Sequence, residues 1–259
     1  TPALRGSLAR MKIPIALQLY SVRHDCAQDL LGVIRKVAAM GYEGVEFAGY
    51  HGHSADDIRK VLDECGIVCS GTHTPMSDLE PEKFEATVDL HKTLGTTFVI
   101  IPWIPAEMRN SAAACTETAR KLTELTHQLE AQGLRCGFHA HDGDMKPLDN
   151  GRSAWDMLAE GTPSSFIMQY DTANGMWGGA DPVQPIRDWP GRNASLHLKG
   201  WAGGKSALVG EGDIPWPQVF DAAENGGGVE WYVVEHEDEA IPPLEAVDRC
   251  LKNLRRMGK

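Results

Sequence analysis

No Cys-x-x-Cys pair and no dense cysteine framework occurs in this chain. The six cysteines, Cys26, Cys65, Cys69, Cys115, Cys136 and Cys250, are scattered. That excludes a zinc ribbon or a disulfide-stapled scaffold, and reduced thiols in the cytosol are the expected state. Positive charge is scarce, with 25 Lys and Arg against 36 Asp and Glu and a net charge of −11. A nucleic-acid partner needs a basic surface, so none is expected. A small anionic substrate stays open, because one local Lys or Arg can serve it. No apolar run is long enough to span a bilayer, so no membrane partner is expected. There is no G-x-G-x-x-G dinucleotide loop and no G-x-x-x-x-G-K-[ST] phosphate loop. No signal peptide is visible either. Residues 1–14 carry Arg5, Arg10 and Lys12, but the apolar stretch that follows is short and broken by Gln18. Residues 1–11 are set aside as an N-terminal leader, with Met11 a candidate start, and 12–257 as one domain.

What is present is alternation. Strand-like segments at 14–21, 42–49, 67–74, 96–103, 134–141, 165–173, 193–200 and 230–237 each precede an amphipathic stretch. The helices are expected at 29–41, 54–66, 81–95, 111–132, 153–161, 181–189, 216–226 and 243–257. Ser54 suits an N-cap and Gly66 a C-terminal stop. Eight βα units in a chain of 259 residues predict an α/β protein, a single-domain (β/α)8 TIM barrel. The longest connections, 142–152 and the Gly-rich 200–213, both follow strands and belong to the catalytic face.

Metal-type side chains stand where four successive apolar strands end. GFHAHD at 137–142 offers His139 or His141, IMQYDTAN at 167–174 offers Asp171, SLHLKG at 195–200 offers His197, and WYVVEHE at 231–237 offers Glu235. Imidazole plus carboxylate is the ligand mix of Mn, Fe, Co, Ni or Zn. A parallel barrel brings such strand ends to one point. His197 and Lys199 alternate, so both face one side, and an inward Lys requires a counter-charge or a ligand oxygen. Glu46 ends the second strand as a catalytic candidate; a buried ion pair is the alternative. His73 ends the third strand and Trp103 the fourth, where they read as substrate contacts or as structural residues. His236, Glu237, Asp238 and Glu239 read as an exposed acidic turn.

The chain resembles the xylose-isomerase-like TIM-barrel superfamily, often called sugar phosphate isomerase/epimerase-like. The resemblance covers about 12–257. It rests on LQLYSVR at 17–23, GYEGVEF at 41–47, HAHD at 139–142, QYDTAN at 169–174, HLKG at 197–200, VGEGDIPWPQVF at 209–220 and WYVVEHE at 231–237. It implies one divalent ion with ligands from strands five to eight, here His139, Asp171, His197 and Glu235, with His141 the alternative on strand five. Mn is the first expectation, with Mg, Co, Zn or Fe as alternatives. Many members carry Glu where His139 stands, and their paired strand-five and strand-eight glutamates act as acid and base. Relatives also favour His-x-Lys-Asp over HLKG.

The resemblance implies enolisation next to a carbonyl of a keto-sugar or related polyol, by an isomerase or epimerase. Glu235 would be the base, with Glu46, His141 or Lys199 moving a second proton. His73, Trp103, Lys199 and Trp201 would hold the sugar. The alternative is a lyase, either inosose dehydratase-like or a 3-keto-glycoside β-eliminase. A non-catalytic sugar-binding barrel and an endonuclease IV-like phosphodiesterase complete the set. The expected partner is a small sugar, in the cytosol, with a homo-oligomer allowed.

Overall fold

The computed structural model describes residues 12–259, so the expected leader at 1–11 lies outside the described residues. Ten strands run in chain order. They are β1 (Ile15–Gln18), β2 (Gly44–Ala48), β3 (Val68–His73), β4 (Phe98–Ile101), β5 (Arg135–His139), β6 (Ile167–Gln169), β7 (Ser195–Leu198), β8 (Gly200–Ala202), β9 (Lys205–Ala207) and β10 (Trp231–Val234). Eight pair in parallel in the order β6-β5-β4-β3-β2-β1-β10-β7. Past the end of β6, a parallel bridge joins Asp171 to His197 on β7, and the His197 amide donates to the Tyr170 carbonyl (2.9 Å). The sheet thus curls into a nearly closed barrel, and two expected metal ligands sit on the seam.

The interior of the barrel has its own small apolar floor. Phe98, Ile100, Ile167 and Ala194 pack together there, with Trp231 against them. Two inward glycines make the room. A Cβ on Gly44 would meet the Trp231 ring at 2.8 Å. A Cβ on Gly137 would meet Ile100 Cδ1 and the Ile167 carbonyl oxygen, each at 2.7 Å. Backbone cannot retreat as a flexible side chain can, so Gly137→Ala is expected to cost about 1–3 kcal/mol, the range for overpacking. Urea unfolding measures this directly.

The helices are α1 (Arg23–Met40), α2 (Ala55–Cys65), α3 (Pro81–Leu94), α4 (Ala112–Glu130), α5 (Ala154–Gly161), α6 (Thr172–Trp177), α7 (Gln184–Asp188), α8 (Trp216–Ala222) and α9 (Pro243–Arg256). Ser54 caps α2 by accepting from the Asp57 amide, and Gly66 ends it with φ 65°. α1 begins six residues before the expected position and breaks at Asp29, whose side chain accepts from the Gly32 amide and restarts the helix. The expected strand 165–173 ends at Gln169, because Asp171 accepts from the Asn174 amide and caps α6. The expected helix 181–189 shrinks to α7. The Gly-rich stretch 200–213 holds the antiparallel hairpin of β8 and β9. All six cysteines are free. Among the described residues no helix is long and apolar enough to cross a membrane.

Candidate metal and substrate site

Strand alternation turns one residue in two toward the barrel axis, and the inward residues form layers. Above the apolar floor lies a buried polar layer from β1, β2, β6 and β7. Glu46 is its hub, only 1% exposed. Gln18 Nε2 donates to Glu46 Oε1 (2.7 Å), and Gln169 Nε2 donates to Glu46 Oε2 (2.8 Å). His197 Nε2 lies 2.6 Å and His73 Nε2 3.0 Å from Glu46 Oε1. Burial alone would raise the Glu46 pKa. The imidazoles of His73 and His197 beside it hold it well below the usual carboxylate range.

The next layer up holds the expected ligands. His139, Asp171, His197 and Glu235 each offer an atom within 4.8 Å of all the others, and all four residues are buried. Each ligand atom is aimed by a bond on the far side of its own side chain. His197 gives Nε2–H to Glu46, which leaves the Nδ1 lone pair facing the cluster. His139 gives Nδ1–H to Gln169 Oε1 (3.0 Å), which leaves the Nε2 lone pair facing the cluster with Asn174 Nδ2 at 3.5 Å. Asp171 Oδ1 is taken by the Asn174 amide (2.8 Å), which frees Oδ2. His197 Nδ1 and Asp171 Oδ2 are buried and find no hydrogen-bond partner. Burying such atoms without a hydrogen bond is costly, and although the Lys199 ammonium lies 3.4 Å from Asp171 Oδ2, the convergence of lone pairs fits a cation.

The spacing fits too. His139 Nε2 to Asp171 Oδ2 is 3.6 Å, His197 Nδ1 to Asp171 Oδ2 is 3.8 Å, and His197 Nδ1 to Glu235 Oε2 is 3.5 Å. A tetrahedral ion with bonds of about 2.1 Å spaces its ligands by about 3.4 Å. Burial first, then the nearby imidazoles of His197, His73 and His141 and the Lys199 ammonium, pushes the His139 pKa well below its ordinary value. Neutral imidazole is the form that binds metal. His141 stands outside this group of four, its ring edge-on to His139 at 5.2 Å between centroids, and it lines the cavity above.

That cavity has a volume of about 630 Å³ and opens at the C-terminal ends of the strands. Lys199 Nζ enters it 2.5 Å from Glu235 Oε1 and 3.4 Å from Asp171 Oδ2. Burial would lower its pKa, but Asp171, Glu235 and Glu237 together raise it, so it is an ammonium. Its other partners are Glu237 Oε1 (3.2 Å) and Asn174 Oδ1 (3.4 Å). Burial and the neighbouring Glu235 push Glu237 up to about 7.

The structure therefore brings His73, His139, His141, Lys199, Glu235 and Trp103 to one cavity. Glu46 supports that cavity from below and forms no part of its wall. Trp201 on β8 is half-buried and is not among the lining residues. The acidic turn expected at 236–239 is corrected in part. His236 is buried with its amide on Ser21 Oγ (3.1 Å), whereas Glu237, Asp238 and Glu239 are exposed as expected, the Glu237 carboxylate also reaching Lys199 at 3.2 Å. Gln18, Asn174, Gln169 and Glu237 were not singled out from sequence. The available signal was spacing: Gln169 and Glu237 each lie two residues from a ligand and so share its face.

A sequence model of the xylose isomerase-like TIM barrel matches residues 34–257. The chain belongs to that family. No curated protein matches it. Among solved structures, a sugar phosphate isomerase/epimerase from Parabacteroides distasonis ATCC 8503 is 21% identical, with 98% of each chain covered and a TM-score of 0.81. A probable 3-DHS dehydratase from Bacillus anthracis is 13% identical, covering 94% of this chain and 99% of that one, with a TM-score of 0.71. The IOLI protein with a zinc atom is 14% identical, covering 94% and 97%, with a TM-score of 0.73. At these identities the likeness speaks for the fold.

Proposed function

We propose that this protein is a divalent-metal-dependent sugar isomerase or epimerase that works by enolisation beside a carbonyl. One observation carries the reading. Four candidate ligand atoms converge at the base of a cavity into which the Lys199 ammonium also projects. His139, Asp171, His197 and Glu235 would hold the ion, and the zinc in the IOLI structure is in keeping with that. A bound divalent ion would supply Lewis acidity at the carbonyl oxygen, where negative charge develops as the proton leaves. Glu235 would take the proton from the neighbouring carbon. Lys199, anchored by Glu237 and Asn174, would hold or return a proton at an oxygen, with His141 also lining the cavity. Glu46 would orient His73 and His197 rather than touch the sugar. The expected partner is a small sugar, and Mn remains the first metal to try.

A second reading, elimination of a β-hydroxyl or alkoxyl group, is favoured by His139. Imidazole stands where the resemblance implies one glutamate of the pair that serves both faces of a substrate, Glu235 being the other. His139→Glu separates the two. In an epimerase that tolerates histidine, the variant keeps or gains activity on free ketoses. In an eliminase, added negative charge weakens the pull on the enolate and opposes the departing oxygen. Elimination then falls while metal stays bound. Wild type and His139→Glu are to be compared on a free ketose and on a 3-keto-glycoside. Release of an aglycone by the wild type, without isotope exchange into free ketoses, overturns the isomerase reading.

A further inference from the structure

The cavity has two unlike walls. The wall from β5 to β10 is polar and carries the ligand cluster. The wall from the first four strands carries Tyr20, Tyr50, Pro75 and Trp103, with the polar His73, Thr74 and Asp78 among them. Trp103 is 56% exposed and Tyr20 45% exposed, although large rings gain more from burial. Tyr20 is braced in that exposed position. The Arg23 guanidinium lies 4.5 Å from the centre of its ring, Arg23 Nη1 donates to the Tyr20 carbonyl (3.1 Å), and Arg23 Nη2 donates to Glu239 Oε1 (3.2 Å). Tyr50 rests on Phe47, ring centroids 5.6 Å apart. The Trp103 indole makes no ring contact with the described residues.

Size points the same way. A hexose is six CHOH units, each comparable to the ~30 Å³ of a liquid water, so it occupies roughly 180 Å³. The cavity offers about 630 Å³. A single sugar therefore fills only part of the cavity.

We propose that the Tyr20–Tyr50–Trp103 wall is a stacking subsite for a second ring attached to the sugar, so that the substrate is a ring-bearing glycoside rather than a free monosaccharide. The inference rests on the cavity being a sugar site, as proposed above. The shared chemistry is a flat, apolar ring face, which either an aryl group or a second sugar presents.

Calorimetric titration of the full chain with methyl glucoside, phenyl glucoside and methyl cellobioside tests it. None of the three has a free carbonyl, so the result does not depend on turnover. At least one ring-bearing glycoside is expected to bind about tenfold more tightly than methyl glucoside, the scale of one aromatic contact. Trp103→Ala and Tyr20→Ala should each reduce that preference, and Trp103→Phe should retain most of it, with circular dichroism confirming the fold. A gain with phenyl alone assigns an aryl group, and a gain with cellobioside alone assigns a second sugar. Equal affinity for all three, no binding of any, or a preference that survives both alanine variants overturns the subsite. The sugar reading itself is judged separately, by proton exchange on carbonyl sugars.

Discussion

Asp171→Ala and His197→Ala are each expected to release bound divalent metal while the barrel stays folded. Each residue gives the cluster a buried atom with no hydrogen-bond partner, Asp171 Oδ2 having only the Lys199 ammonium at 3.4 Å. Loss of an outer partner alone costs 10–100-fold in metal affinity, so loss of a ligand should cost at least ~100-fold. The structural cost is modest by comparison. Asp171 also caps α6, and losing such a cap costs about 0.5–2 kcal/mol. Removing His197 leaves Glu46 with Gln18, Gln169 and His73. Metal content after dialysis, read beside circular dichroism, gives the answer. Full occupancy in both folded variants would falsify the ligand assignment.

Glu235→Gln is expected to keep some metal, since the amide oxygen still coordinates, yet to lose proton exchange. An amide is not a useful base at neutral pH, and the loss should reach at least ~10²-fold. Lys199 loses its 2.5 Å partner in this variant but retains Glu237 and Asn174, so the cavity keeps its shape. An unchanged rate with metal retained would move the base to Glu237. That residue lines the cavity, whereas Glu46 lies beneath it.

The convergence of the candidate ligands was legible because two simple periodicities coincide. A period of two puts His197 and Lys199 on one face, and the alternation of strand and helix brings four strand ends to one rim. That His139 rather than His141 joins the group of four was not legible. It depends on Gln169 reaching across from β6 to hold His139 Nδ1. Glu46 was ambiguous for the same reason: its partners come from β1, β3, β6 and β7, up to 151 residues away. Glu237 read as surface because its neighbours are acidic, and it is exposed; only its reach to Lys199 at the cavity rim was not legible. The short α6 was hidden by apolar residues that suit a strand, and a side-chain cap at Asp171 decided otherwise.

Proton NMR in heavy water, on a panel of keto-sugars, inososes and 3-keto-glycosides, tests the central claim most directly. The same protein is assayed loaded with Mn, Mg, Co or Zn and after chelation. Metal-dependent enolisation predicts loss of the C–H signal beside the carbonyl of at least one substrate with the loaded protein, and its persistence after chelation. Exchange that is equally fast without metal, or binding across the panel with neither exchange nor elimination, would contradict it.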